Sequence, residues 1–273
     1  LFFNLFDSHT HSEHSPDAAH PVRKMAASAL EKGLSGIAIT DHCEAQNWQE
    51  HGVYGKGIAG STQAVLQARE EFRGRLDVAM AVELGQGHRS PGQMNELLAR
   101  YPFDFVIGSV HNILGWPDMH TANCSWMGLS TLDELMHSYF DELERMVAWG
   151  GFDVVGHLSY PLRGAKRNSD VDIDISRYHD RTDRLFRALV HKGKGIEINT
   201  SGLRGPLEET MPPMSTLRHY REVGGEIITI GSDSHCSCDV GKGLQTAMGM
   251  LRRAGFQYFS FYRERVPVML RVL

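Results

Sequence analysis

Long hydrophobic runs are missing from this 273-residue chain. No apolar stretch approaches the ~20 residues of a membrane span. Cysteine is scarce: Cys43, Cys124, Cys236 and Cys238 form neither a CxxC pair nor the spacing of a disulfide framework. Leu1 to Phe6 is too short for the apolar region of a secretory signal and carries no basic segment. A soluble protein in a reducing, cytoplasmic setting is therefore expected. A block of basic charge is also absent. Lys and Arg number 28 against 33 Asp and Glu, a net charge of −5, so an extended nucleic-acid footprint is not indicated. The remaining composition, 41% apolar, 22% charged and 9% aromatic, excludes collagen-like, disordered and disulfide-stapled classes. A chain of this length buries a core without structural metal. Any metal it binds is expected to be functional.

What is plentiful is histidine, 15 residues, the commonest metal ligand and the side chain that titrates nearest neutrality. Its meaning depends on position. Apolar runs of strand length recur at Phe2–Phe6, Gly36–Thr40, Val78–Val82, Phe103–Ile107, Phe152–Val155, Gly195–Ile198 and Glu226–Ile230. They do not alternate with polar residues, as befits strands buried on both faces. Helical periodicity fills the intervals at Val22–Lys32, Thr62–Phe72, Gln93–Ala99, Leu132–Trp149, Arg181–His191, Ser215–Val223 and Leu244–Ala254. Several of these segments run into glycine, as helices often do.

A βα unit repeated seven times without a linker predicts one domain over residues 1–273. The even repetition favours a barrel over a doubly wound open sheet. Tyr258–Tyr262 and Val266–Val272 read as a terminal hairpin around Arg263–Arg265. Three longer connections, Glu44–Ser61, Ile113–Ser130 and Leu158–Ile175, follow strand C-termini, the face where barrel chemistry is done.

The ends of the apolar runs carry the chemistry. In order they are Asp7-Ser-His9-Thr-His11, Thr40-Asp41-His42, Glu83, His111, His157, Glu197-Ile-Asn199 and Asp233-Ser-His235. Residues two apart on an extended segment point to one side, so His9 with His11, and Asp233 with His235, can each present two side chains together. A barrel would gather all seven ends around one mouth. Such a cluster of imidazoles and carboxylates suits Zn²⁺, Mn²⁺ or Fe rather than a thiolate or an all-oxygen site. The other nine histidines, His14, His20, His51, His88, His120, His137, His179, His191 and His219, lie off the strand ends and are read as ordinary core or surface residues. His20 and His88 sit in loops that could reach the mouth. Cys43, Cys236 and Cys238 flank candidate ligands and are read as small packing residues, because adjacent strand positions face opposite ways.

The motifs DSHTHSEHSPDA, ITDH, AVELG, GSVH, VVGHL, EINTSGLRG and GSDSH, from Asp7 to His235, resemble the PHP (polymerase and histidinol phosphatase) superfamily. The similarity is greatest to its histidinol-phosphate phosphatase branch. The resemblance implies a distorted (β/α)₇ barrel, in agreement with the seven repeats. It implies three divalent transition-metal ions, Zn, Mn or Fe. By motif, His9, His11, Glu83 and Asp233 would hold one ion, and Glu83 would bridge to a second held by His111 and His157. Asp17, His42 and His235 would hold the third. Asp17 stands where many relatives have histidine, and its SPD spelling is a feature of the narrower branch. Asp7 and Asp41 are read as orienters of ligands or proton carriers.

The implied reaction is hydrolysis of L-histidinol phosphate to L-histidinol and phosphate, a step of histidine biosynthesis. A water shared by two metals would attack phosphorus. Asp17, Asp41 and His235 are the candidate general acids. Arg163 and Arg204 follow strand ends, and similarity to the family's phosphate-binding arginines points to the same role here. A guanidinium suits multidentate phosphate recognition; Lys166 and Arg167 are neighbours that could substitute. The expected partner is a small phosphomonoester, with no nucleic acid and no membrane. An alternative within the superfamily is another small phosphoester, or nucleotide ends. A non-enzymatic metal-binding module is disfavoured, because structural metal sites are closed and small in ligand number.

Overall fold

The apolar runs pair side by side in the order in which the chain makes them. The structure, a computed structural model, describes residues 4–45 and 53–272, with the backbone alone at 53–56. Strands β1 (Phe6–Thr10), β2 (Gly36–Ile39), β4 (Asp77–Gly85), β5 (Phe105–Ser109), β6 (Val154–Val155), β7 (Gly195–Asn199) and β8 (Ile228–Gly231) form one parallel sheet in that sequence. A short β3 (His42–Glu44) also pairs with β4. Ile39 faces Met80 and His42 faces Glu83, so β2 and β3 are one line interrupted at Thr40–Asp41. The sheet returns on itself where the Asp233 amide donates to the His9 carbonyl (2.8 Å) and the His11 amide to that of Ser234 (2.9 Å). The result is a nearly closed barrel.

Strand residues such as Ile37, Ile39, Val78, Val106, Ile196 and Ile230 are fully buried in one continuous core. That double-sided burial is why the strands read as unbroken apolar runs. Among the described residues eight helices cover the outside: α1 (Val22–Glu31), α2 (Val53–Glu71), α3 (Pro91–Arg100), α4 (Leu129–Trp149), α5 (Tyr160–Ser169), α6 (His179–His191), α7 (Met214–Glu222) and α8 (Leu244–Arg253). Helix α6 shows the pattern: Thr182, Leu185, Phe186 and Leu189, at i, i+3, i+4 and i+7, are its buried side. Helix α4 stops at Gly150, whose left-handed φ of 76° lets its amide reach the Met146 carbonyl at 3.0 Å.

The expected terminal hairpin is present as β9 (Tyr258–Arg263) and β10 (Val266–Arg271), antiparallel around Glu264 and Arg265. Its place could not be read from periodicity. Phe261 stacks on Phe6 (ring centroids 4.7 Å) and Tyr262 on Phe105 (4.9 Å), while Arg265 Nε donates to Asp153 Oδ2 at 2.6 Å. These partners all lie at strand starts. The hairpin therefore caps the barrel end opposite the mouth.

Three expectations need correction. The first strand, expected at Phe2–Phe6, runs from Phe6 to Thr10, while residues 1–3 lie outside the described residues. Its sequence FDSHT is polar yet wholly buried, so apolarity marked the approach to the strand and not the strand. The connection Leu158–Ile175, expected to be a loop, contains α5, which opens with Pro161 in its first turn. The connection Glu44–Ser61 gives way to α2 at Val53, nine residues before the expected Thr62; residues 46–52, His51 among them, lie outside the described residues. Among the described residues no helix is long and apolar enough to cross a membrane.

Candidate metal centre

Each strand delivers its polar end to the same mouth. His9 is the fourth residue of β1, and His11 follows one residue beyond the strand on the same side. Glu83 lies inside β4 in register with His42 of β3, whereas His111 and His157 sit just past β5 and β6. Two of these turns take backbone that non-glycine residues rarely adopt: φ is 24° at His157 and 53° at Asp233. Gly231 precedes the second turn. A Cβ there would fall 2.3 Å from Glu197 Oε1 and 2.4 Å from His9 Cβ, so only glycine lets β8 approach β1 this closely.

The sequence-derived candidates come together in three groups along the floor. In the first, His9 Nε2 and His11 Nε2 are 3.1 Å apart; Glu83 Oε2 lies 3.4 and 3.6 Å from them, and Asp233 Oδ1 3.7 and 3.4 Å. In the second, Glu83 Oε1 is 3.1 Å from His111 Nε2 and 2.8 Å from His157 Nε2, which are 3.2 Å from each other. In the third, Asp17 Oδ2 is 3.7 Å from His42 Nε2 and 3.2 Å from His235 Nε2. The His11 ring stacks between those of His42 and His235, at 4.3 and 4.2 Å. Glu83 joins the groups, since its Oε2 also lies 2.9 Å from His42 Nδ1.

This donor set fits cations. Two imidazole nitrogens in contact can satisfy only one lone pair with a shared proton, whereas a cation between them satisfies both. Two such pairs occur here. Glu83 Oε2 is buried without a hydrogen bond of good geometry, an arrangement that is costly unless a positive charge is near. Charge is already divided accordingly. Burial alone would raise the Glu83 carboxyl, but His111, His9 and His42 hold it well below the usual range. Burial opposes a charge on His42, yet Glu83 and Asp17 lift it to about 10. Burial and the neighbouring His235 and His42 push His11 down to about 3, leaving it a neutral donor of its lone pair. Burial, Asp233 and Glu83 act in opposite senses on His9, and with Glu197 the carboxylates win, raising it well above its ordinary value.

Above the floor is a cavity of about 610 Å³. Arg163 and Arg204 line its wall. Arg163, on α5 and not on a loop as expected, donates from Nη1 to Ser201 Oγ (2.7 Å) and lies 3.4 Å from Asp233 Oδ2. Its guanidinium sits over the Tyr160 ring at 4.9 Å. Arg204 donates to the carbonyls of Ser232 (2.8 Å) and Asp233 (3.1 Å). Arg167 also lines the cavity, whereas Lys166 pairs with Asp170 and Asp172 away from it.

Of the candidate acids, Asp17 and His235 reach the cavity and Asp41 does not. Its Oδ1 takes the Ser12 amide and Ser15 hydroxyl, its Oδ2 the Ser12 and Ser61 hydroxyls, all at 2.6–2.7 Å. Asp7 is likewise committed, binding Ser232 and the Gly241 amide. Both position backbone beside ligand candidates.

Other contributors are Glu197, already offered by the sixth run end, and residues with no signal in the apolar pattern. Glu44 Oε1 accepts from His111 Nδ1 at 2.7 Å, and Glu197 Oε1 meets His9 Nδ1 at 2.7 Å, so carboxylates fix the orientation of both rings. Gln86 Oε1 accepts the His111 amide at 2.6 Å while its Nε2 donates to Glu44. His120, read as an ordinary core or surface residue, lines the cavity with Asp118 and Tyr160. His20 and His88 do not line it. His20 Nδ1 accepts from the Ser237 amide.

Behind the His111 turn lies a buried anchor. Glu142 Oε2 meets His88 Nε2 (2.7 Å) and Arg89 Nε (3.0 Å), and Arg89 donates to the Asn112 carbonyl at 2.9 Å. Burial would raise the Glu142 carboxyl from 4.5; the hydrogen bonds from His88 and Arg89 outweigh it and hold the group at about 2. A depressed carboxyl stabilises the fold above its unfolded pKa and loses that contribution as pH falls through its folded one. Glu142→Gln is expected to cost on the order of 3 kcal/mol at neutral pH. The deficit should close between pH 4.5 and about 2. Denaturant unfolding at a series of pH values checks this; parallel stability profiles for the two proteins would contradict it.

Cys43 is buried in the core as expected, but Cys236 and Cys238 are not packing residues: a disulfide joins them, and Cys238 is exposed. The opposite-faces argument compared each with its immediate neighbour. That comparison assumes extended strand, whereas Cys236–Cys238 occupy a bend and turn past β8, with Cα atoms 5.4 Å apart.

With the geometry in hand, comparisons identify its relatives. The family model described as PHP domain matches residues 7–201. The histidinol-phosphatase of Lactococcus lactis subsp. lactis is 27% identical over 259 residues, covering 94% of this chain and 93% of that protein. A Deinococcus radiodurans protein named "Probable histidinol-phosphatase" is also 27% identical, over 96% of this chain and 98% of its own length. The crystal structure of histidinol phosphate phosphatase from Lactococcus lactis, complexed with Zn, L-histidinol and phosphate, superposes with a TM-score of 0.80 at 24% identity, covering 98% of this chain and all of that one. That likeness carries the barrel fold beyond the residues matched by the family model.

Proposed function

The chain belongs to the PHP domain family, and from that premise we propose that it is a metal-dependent phosphomonoesterase that hydrolyses L-histidinol phosphate to L-histidinol and phosphate. The observation that carries this reading is the pairing of three imidazole–carboxylate groups, joined through Glu83, with two arginines on the adjacent wall. Relatives matched over nearly their whole length carry the histidinol-phosphatase name, which supports the substrate.

In this reading His9, His11, Glu83 and Asp233 would hold one divalent ion, Glu83, His111 and His157 a second, and Asp17, His42 and His235 a third. Zn, Mn and Fe all suit such donors. When bound, the ions would polarise the phosphoryl oxygens and supply an acidic water as nucleophile. The protein's own groups do the rest. Glu44 and Glu197 keep the rings of His111 and His9 turned so that Nε2 faces the floor. Arg163 and Arg204 draw the phosphoryl group down the wall and spread its charge through the transition state. Tyr160 supports the Arg163 guanidinium from below. Asp17 and His235, at the open edge of the cavity, can protonate the leaving alkoxide only where the third ion is not between them, because a lone pair given to a metal carries no proton.

A steady-state assay against a panel of phosphomonoesters tests the substrate. L-histidinol phosphate should give the highest kcat/KM, and preference for another ester or for nucleotide ends would replace the assignment. Arg163→Ala and Arg204→Ala should each lower kcat/KM for it by about 10- to 150-fold, the value of one charge-assisted contact, ~1.5–3 kcal/mol. Part of the loss should fall on kcat, and Lys should rescue only partly because an ammonium lacks the planar fork. Metal content should stay that of the parent. Metal loss from Arg163→Ala would instead make its task the holding of Asp233.

A further inference from the structure

The loop that follows β8 holds a pair of sulfurs that hydrolysis does not use. Cys236 and Cys238 are bonded to each other across Ser237, and Cys238 is exposed. A bridge between residues two apart removes almost no freedom from the unfolded chain, so stability gives it little purpose. Its location is more informative. His235, one residue before it, stacks on His11 and meets Asp17. Asp239, one residue after it, lies 3.6 Å from Arg204 Nε. The ring also has a seat on α1. Ser28 donates to the Ser237 carbonyl at 2.6 Å, and Lys32 Nζ to the carbonyls of Ser237, Cys238 and Val240 at 3.2, 3.0 and 2.7 Å. The small ring thus clamps the backbone between one candidate metal ligand and the partner of one phosphate-facing arginine. The bond that closes the clamp is open to attack from solvent.

We propose that Cys236–Cys238 is a thiol–disulfide exchange site, with a low-molecular-weight dithiol as co-reactant, whose closed form holds His235 and Asp239 in place. In the exchange, one thiolate of the dithiol attacks Cys238 Sγ, the Cys236–Cys238 bond breaks, and Cys236 leaves as a thiolate that takes up a proton. The second thiolate of the co-reactant then attacks its own sulfur in the mixed disulfide. Cys238 is released as a thiol and the dithiol departs as a cyclic disulfide. Two electrons pass to the protein and two protons follow. Opening the ring frees the path from His235 to Asp239, which loosens the third ion group and the Arg204 wall together.

The test equilibrates the metal-loaded protein in mixtures of reduced and oxidised dithiothreitol, quenches with acid, alkylates, and weighs the peptide that carries both cysteines. The pair should pass from bridged to dithiol as one two-electron unit, while Cys43 and Cys124, both buried, stay unlabelled in native protein. Elemental analysis after desalting should show less metal in the reduced form, and kcat/KM should fall by up to ~10²-fold, the scale of a group misplaced by about 1 Å. The double variant Cys236→Ser/Cys238→Ser should respond to none of the mixtures, which separates exchange from chelation by the reagent. A pair that stays bridged, or stays reduced, in every mixture overturns the proposal. So does exchange without a change in metal or rate, and so does a double variant that responds as the parent does. The thiol and metal readouts do not depend on which ester is hydrolysed, so they can fail independently of the proposed substrate.

Discussion

Stripped of divalent metal by a strong chelator, the protein should lose its phosphatase activity altogether and regain it with Mn²⁺, Zn²⁺ or Fe²⁺. The expectation rests on the floor of the barrel. His9 with His11, and His111 with His157, face each other nitrogen to nitrogen at 3.1–3.2 Å, and the buried carboxylates of Glu83 and Asp233 lie among them. Protons alone satisfy this set poorly, because each shared proton serves one lone pair and burial penalises each extra imidazolium. Divalent ions satisfy the nitrogens and neutralise the carboxylates at once, and binding them releases protons such as the one held by His42. Protein purified without chelator should contain on the order of two to three equivalents of transition metal per chain. The fold should survive extraction better than the activity, because the hydrophobic core is continuous without the floor. Elemental analysis, circular dichroism and assay on one sample separate these statements. Full turnover by a verified metal-free preparation would remove the proposed chemistry.

How far the chain could be read in advance follows from which interactions are local. Strand order, the seven βα repeats and the convergence of His9, His11, His42, Glu83, His111, His157 and Asp233 on one mouth follow from apolar runs and the two-residue period of strands. What failed was information that lives in pairing. Strand β1 is buried because it faces the site, so its polar residues did not look like strand. Glu44 matters because β3 lies in register with β4, placing it opposite Gly85, where no side chain competes for the space. The apolar run ends before it, at ITDH, and the signal available was the short HCE segment that follows. Helix α5 contains Pro161 and Gly164 and few apolar residues, which hid both the helix and its presentation of Arg163. Gln86 and Glu142 act through backbone at His111 and Asn112, contacts with no periodicity to detect. The cysteine bridge was missed for a different reason: a strand rule was applied to residues that lie in a turn.

Replacing Glu83 with Gln should do more damage than removing any terminal ligand. Its carboxylate is central to the floor: Oε1 meets His111 and His157, and Oε2 meets His9, His11 and His42, all at 2.8–3.6 Å. No other candidate touches all three groups. Glutamine keeps the shape but replaces one oxygen with an NH₂ and removes the charge, so one of those two sets of nitrogens would face a donor instead of an acceptor. An amide also pairs weakly with a cation, and the negative charge that now holds His111 and His42 protonated would be gone. Both effects fall on the ions proposed to act on phosphate, so kcat should drop by at least ~10³, about 4 kcal/mol of transition-state stabilisation. Glu83→Asp, which keeps the charge but shortens the reach, should recover part of the metal content and less of the rate. Metal stoichiometry measured beside kcat tests the joining role directly. A Glu83→Gln protein with parental metal content and near-parental kcat would reduce Glu83 to a packing residue and leave the three groups independent.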